Sequence, residues 1–438
     1  MLKRRLIIFV SVIFSLCLLS SVFAGGKSEA GAATGEKKVI TFWNHALAAD
    51  TAWENKYWQD VVGGFQKENP NVQVNLEWVP WDTFWTKLVA AVEAGNAPDI
   101  HHAGDAHMLA FVPQGKVLPI DDVLADLGGP KAFSPLLHYY QYKGHTYGLP
   151  YVEGGYLLYY NKDLLAKAGF TQPPKDWDEL TKIARAVTDP AKGVYGIGLD
   201  YSAGNGDSQV FSCFRMAAGG QVIDENGKVV FDSPQNVAAL RYYTDLGTKY
   251  KVVPPGSVAI TAYETTATPL LTMFGNEQIA MMVYWQLGAD QIKAQFPSVW
   301  AKTGVATIPK GPSGHSGSYA AANPIYIHTQ SKYPADAKKF LKYFFKKDIY
   351  GEWIKGSGWL PGLNAAWDLQ PDTEWRRVAK AQMPDMWRGL GATNPKNGAA
   401  WEAFIDAAAV QDVVVRGMSP EDAVKKAQKA YEDLYNKQ

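Results

Sequence analysis

From Lys38 onward the chain switches repeatedly between two hydrophobic periods. Val39–Trp43 is an apolar run of strand length, and Trp53–Asn69 carries apolar residues at helical spacing up to the break at Pro70. Val72–Trp78 sets Val, Val, Leu and Trp against Gln, Asn and Glu, the alternation of a strand. Trp81–Ala94 returns to helical spacing with Phe84, Leu88, Ala91 and Val92 on one face, and Gly95–Ile100 turns into a third strand. This opening predicts an α/β fold with a parallel sheet, whose ligands lie beyond the carboxyl ends of the strands.

Tyr156–Tyr160, apolar and aromatic between Gly154-Gly155 and Asn161, predicts a buried strand. Asn161 is placed to cap a short helix Leu164–Ala168, and Asp176 with Glu179 makes a capping box for a helix over Trp177–Val187. Further strands are expected at Gly196–Leu199, Ile279–Tyr284, Gly304–Ile308 and Ala321–His328, with a hairpin over Gly219–Phe231. Helices are expected over Gln209–Ala218, from Ser233 through Leu246, and over Pro269–Gly275, Pro334–Asp348, Thr373–Gln382, Trp401–Arg416 and Ser419–Tyr435.

The motif Tyr160-Asn161-Lys162-Asp163, Leu164-Leu165, Ala168-Gly169, Pro173-Pro174 and Trp177-x-Glu179-Leu180 resembles the signature of the family 1 extracellular solute-binding proteins, the sugar-binding components of ABC importers. Ala94-Gly95-x-Ala97-Pro98-Asp99, the run Gly144–Pro150 and Gly358–Pro361 also resemble that family, so the likeness extends from about Lys38 to the C-terminus. It implies a two-lobe periplasmic-binding-protein fold of type II-like form, with hinge crossovers near Pro150–Gly154, Pro309–Tyr319 and Gly356–Pro361. The N-terminal lobe is expected to hold residues 38–152 plus 320–357, and the C-terminal lobe 153–319 plus 358–438. The implied partners are a carbohydrate, an oligosaccharide or disaccharide, and the membrane permease of an ABC transporter. The chain is expected to act as a monomer.

Candidate ligand contacts follow from strand ends and crossovers. Trp43, Asn44 and His45 leave the first strand; Asp82 heads the second helix; Asp105, followed by His107, leaves the third strand. Glu153 and Tyr156 flank the first crossover, Trp285 ends a strand, Asn323 sits on the returning strand, and Trp359 lies in the last crossover. A carboxylate accepts two sugar hydroxyls at once, and an aromatic face stacks on a sugar ring. The resemblance implies an acid at Asp105 and a stacking ring at Trp285. Asp105 is equally placed to cap the helix that follows, and Trp285 to fill a core. One departure concerns the acid that the best-known member of that family carries before Tyr-Asn-Lys. Gly154 aligns there, with Glu153 one residue earlier, and a one-residue offset on a strand turns a side chain to the other face.

Composition narrows the chemistry. With 43 basic and 43 acidic residues the net charge is +0, which gives no electrostatic case for nucleic acid. The 15 Trp and 23 Tyr suit a protein that stacks on sugars. No Gly-x-Ser-x-Gly, P-loop or dinucleotide glycine fingerprint is present, so an enzyme is not expected. His101, His102 and His107 lack metal-ligand spacing, and neither metal nor cofactor is expected. The competing readings are a binding protein of the same fold for a polyamine or glycerol phosphate, and a secreted glycoside-acting enzyme. Few acids and no Arg at the expected site favour a neutral polyol.

Lys3-Arg4-Arg5, the apolar Leu6–Phe23 and the small Ala24 have the layout of a secretory signal over residues 1–24, followed by a flexible segment 25–37. Cleavage removes Cys17 and leaves Cys213, so about 410 residues must be stabilised by core area without a disulfide. The expected location is periplasmic or extracytoplasmic. Lipidation of Cys17 is disfavoured by the bulky Leu16 and Leu18-Leu19 around it. Sequencing of the exported protein should begin at Gly25; a diacylglyceryl group on Cys17 would contradict this.

Overall fold

The computed structural model describes residues 37–48, 50–259, 269–387, 389–390 and 394–436; the expected signal segment with Cys17, and all but the last residue of segment 25–37, lie outside them. The strands are β1 (Lys38–Asn44), β2 (Val72–Trp78), β3 (Ile100–His102), β4 (Gln141–Tyr142), β5 (His145–Thr146), β6 (Gly148–Asn161), β7 (Tyr195–Gly198), β8 (Ile279–Trp285), β9 (Thr303–Ala306), β10 (Ser318–Ile327) and β11 (Met386–Trp387). One continuous sheet runs β2-β1-β3-β10-β6-β8-β7, with β9 on β6 and β11 on β10. β1 is parallel to β2 and β3, as its opening pattern predicts.

β6 is the element shared by both halves. Its first part, Gly148–Gly155, pairs antiparallel with β10, and its second, Tyr156–Asn161, pairs with β8 and β9. The strand is longer than the predicted Tyr156–Tyr160 because Gly154 and Gly155 lie inside it. A Cβ on Gly154 would fall 2.2 Å from the Gln286 amide, so no side chain, acidic or otherwise, fits there. At this point the three crossovers lie side by side. Leu360 exchanges backbone bonds with Glu153 at 2.8 and 3.2 Å, while Ala320 and Ala322 of β10 face Gly155 and Glu153.

Three apolar clusters fill the interior. The first takes β1, β3 and the start of β6 with residues 321–366, and centres on Trp58 packed against Phe42, Tyr151, Phe344 and Trp353. Trp359, Leu363 and Ala366 belong to it, so the first core runs past position 357. The second holds Tyr156–Val253 with residues of the C-terminal helices, and the third lies under β8 and β9.

Caps behave as expected. Asn161 accepts from the amides of Asp163 and Leu164, and Asp176 from that of Glu179 at 2.9 Å. Asp105 is not a cap: Gly104 holds that position, and Asp105 is the first residue of the helix Asp105–Phe111. Two long predicted helices are split. Pro334–Asp348 becomes Pro334–Phe344 and Lys347–Ser357, because Lys346 takes an extended ψ of 132° while Phe345 packs on Phe133 and Tyr350. Trp401–Arg416 becomes Asn397–Glu402 and Ile405–Val414, because Phe404 sits in the left-handed region at φ 46°. Within the expected hairpin segment, Asp224–Gly227 is a turn, with Asp224 accepting from the amides of Asn226 and Lys228.

The second half is cross-linked by a buried ion pair. Arg215, on the helix Asn205–Ala217, meets Asp406 at 3.3 Å, and Tyr431 donates to the same carboxylate at 2.5 Å. Both charged side chains are nearly inaccessible, so each depends on the other for compensation. Replacing Asp406 by Ala should lower stability by about 3–5 kcal/mol, because it strands the guanidinium in the core. Urea unfolding measures this; a loss below 1 kcal/mol would show the pair to be dispensable.

Candidate ligand-binding site

The most conspicuous site feature is a chain of rings where the halves meet. Trp285, the last residue of β8, is half-buried and borders all three apolar clusters. Its ring lies 4.4 Å from that of Tyr156, its register partner on β6, 5.9 Å from Trp359, and 6.1 Å edge-on from Tyr319. Tyr319 in turn stacks on Trp401 at 4.9 Å. Tyr156 is fixed by its hydroxyl donating to Gln209 at 2.6 Å. Trp359 is fixed by its indole donating to the Leu47 carbonyl, whose loop is held by the carboxylate of Glu54 accepting from the amides of Leu47 and Ala48. Burial pushes the Glu54 carboxyl up to about 7.

Of the residues expected from the sequence, Tyr156, Trp285 and Trp359 therefore come together. Asn323 is half-buried on β10 at an irregularity before Pro324, and a Cβ on Gly104 would lie 3.9 Å from its Oδ1, which sets it beside the Asp105 helix. Asp105 is almost fully buried at that helix's first turn. Asp82 is exposed in the turn before the helix Phe84–Glu93. Tyr319 and Trp401 are absent from the expected set; nothing distinguishes them locally from other aromatic residues, since their meeting depends on β10 and the C-terminal helices folding together.

Four expected contacts are buried away from the ring group, each by its own packing. Trp43 is buried beneath Lys87, whose ammonium sits 3.9 Å from its ring. Asn44 turns to the opposite face and accepts from Tyr151 at 3.2 Å. His45 is fully buried, stacked on Trp81 at 4.2 Å, with Nδ1 2.6 Å from the Val79 carbonyl and Nε2 2.9 Å from that of His101. Glu153 is sealed beside Tyr140, accepting from Ser134 at 2.5 Å, and burial pushes its carboxyl up to about 8. An odd separation along β6 puts Glu153 and Tyr156 on opposite faces, so the one-residue offset does turn the acid away from the rings.

His45, His101, His102 and His328 form a buried set. His101 bonds the Tyr326 hydroxyl at 2.7 Å, and His102 accepts the His45 amide at 3.0 Å. Burial lowers His45 and His328 to about 4 and pushes His101 and His102 well below the ordinary imidazole range. Among the described residues no group of three His, Cys, Asp or Glu could hold a metal ion.

A two-lobe α/β architecture built around one long shared strand is that of a solute-binding protein. The sequence profile of the bacterial extracellular solute-binding protein family matches residues 50–350, and the chain belongs to that family. It is similar to a putative binding protein of Brucella abortus, 30% identical over 316 residues that make up 72% of this chain and 74% of that one. It is similar also to the arabinooligosaccharide-binding protein of Bacillus subtilis, 24% identical over 75% of this chain and 74% of that one. Among solved structures, an ABC transporter solute-binding protein of Thermotoga lettingae bound with α-D-tagatose superposes with a TM-score of 0.77, at 26% identity, over 91% of this chain and 100% of that one. Members of the family are extracellular or periplasmic binding proteins, not enzymes. No described helix is long and apolar enough to cross a membrane.

The buried titratable groups set a pH optimum for stability. The four imidazoles bind protons in the unfolded chain near pH 6.5 but not in the folded one, so their contribution is complete above that value and lost as pH falls. Glu54 and Glu153 have raised pKa values, so their contribution is complete below about pH 4.5 and lost as pH rises towards 7 and 8. Between pH 4.5 and 6.5 the imidazoles outweigh Glu54 and Glu153, while burial also raises Asp200 and Asp290 and offsets part of the difference, so stability should rise by on the order of 1–2 kcal/mol per pH unit. Above about pH 6.5 it should decline. Urea midpoints at pH 5, 6.5 and 8 check this; a midpoint higher at pH 5 than at pH 6.5 would contradict it.

Proposed function

We propose that this chain is the extracytoplasmic binding component of an ABC importer and holds a saccharide in the interlobe cleft, for delivery to a membrane permease. The single observation that carries this reading is the ring group Tyr156, Trp285 and Trp359, extended by Tyr319 and Trp401. Flat aromatic faces at a lobe junction suit the apolar face of a pyranose, while Asn323, set beside the Asp105 helix, offers with Asp105 polar groups for its hydroxyls. The tagatose complex and the arabinooligosaccharide-binding relative support a sugar over other solutes. A phosphorylated ligand would call for an accessible guanidinium, and Arg215 is buried against Asp406. The protein is exported, acts as a monomer, and catalyses no reaction. Its lobes divide near the crossovers at Glu153, Ala320 and Leu360, and closure around the sugar is favoured because only the closed form lets both lobes touch it.

A thermal-shift screen of the exported protein against mono- and oligosaccharides identifies the sugar, since a ligand at 100 times its Kd adds about 2.7 kcal/mol. Trp285→Ala should then weaken binding by one to three orders of magnitude, because stacking adds about 0.5–1.5 kcal/mol and area burial about 1.5–3 kcal/mol. Calorimetric titration beside ligand-free melting separates this from a core role: unchanged affinity with a collapsed Tm would remove Trp285 from the site.

A further inference from the structure

The helix Asn397–Glu402 belongs to the second apolar cluster through Ala400 and Trp401, yet it lies against the first half of the molecule. Gly398 is at the closest approach: a Cβ there would sit 3.2 Å from the Ala106 carbonyl and 3.2 Å from the Trp85 ring. One turn on, the Glu402 carboxylate meets His107 Nε2 at 3.0 Å, with the two side chains 27% and 8% exposed. His107 is held in place by Phe84 and Trp85, whose rings lie 4.9 and 5.0 Å away. The preceding residue of the same helix, Trp401, stacks on Tyr319 in the ring group. The left-handed Phe404 makes this possible by breaking the predicted helix, so that Asn397–Glu402 leaves the line of Ile405–Val414.

We propose that Glu402 and His107 form an interlobe latch, closed over the tight Gly398 contact, that holds the lobes together and slows ligand escape. The proposal rests on the reading of the ring group as the binding site. Adjacent residues of one short helix then serve two lobes: Trp401 completes the wall on which the sugar lies, and Glu402 reaches the opposite lobe. Both His107 and Glu402 are positioning residues, acting on the ligand through the closed arrangement.

Small-angle scattering of the ligand-free full-length exported protein tests this without a sugar. The wild type should scatter as the compact form. Glu402→Lys, which replaces the acceptor facing His107 with a donor, and Gly398→Val, which wedges the contact, should each give a larger radius of gyration at an unchanged Tm. Each should lower the closed-to-open ratio by about tenfold, equivalent to 1.4 kcal/mol. The swap His107→Glu with Glu402→Lys should restore compactness to the Glu402→Lys background. A wild type as expanded as the variants, variants as compact as the wild type, or a swap that restores nothing overturns the latch. Failure of every saccharide to bind overturns the proposed function instead and leaves the scattering result intact.

Discussion

Everything in this molecule hangs on one backbone ladder. β6 spends its first half paired with β10 and its second half paired with β8 and β9, so a single strand belongs to both lobes. Its pairing through Glu153 to Leu360 and through Gly155 to Ala320 draws the other two crossovers alongside. Backbone hydrogen bonds fix the positions of these three segments. The glycine pair then leaves room for Gln286, Ser318 and Met386 to pack where Cβ atoms would otherwise stand. The ring group sits directly beyond that point, because Tyr156 and Trp285 are register partners one residue past the glycines.

Polar side chains near the sheet ends are used for architecture more than for contact. His45, Asn44 and Trp43 close the first sheet, and Glu54 ties down the loop whose carbonyl holds Trp359. Buried imidazoles and carboxylates are costly to ionise, and they titrate in opposite senses across neutral pH. One of these carboxylates, Glu54, anchors the loop whose Leu47 carbonyl holds Trp359.

Much of the fold was legible because periodicity is a local property. The strand–helix alternation of the first hundred described residues, the caps at Asn161 and Asp176, and the strand leading to Trp285 follow from spacing and turn chemistry. What periodicity could not show is where a long helix breaks. Phe404 adopts a left-handed conformation that no residue type there announces, and Asn397–Glu402 is a separate helix only because of that break. The ring group was legible in part for the same reason. Tyr156, Trp285 and Trp359 lie at strand ends or crossovers, whereas Tyr319 and Trp401 are brought in by tertiary contact. Strand-end position also pointed to Trp43, Asn44 and His45, and tertiary packing buries all three.

Hydrogen–deuterium exchange, with and without a saturating saccharide chosen by thermal shift, tests the central claim most directly. If a sugar is clasped between lobes joined by β6, protection should rise together at the ends of β8 and β10, in the crossover around Trp359 and in the helix Asn397–Glu402. Protection confined to one lobe, or falling away from these segments altogether, would contradict the account.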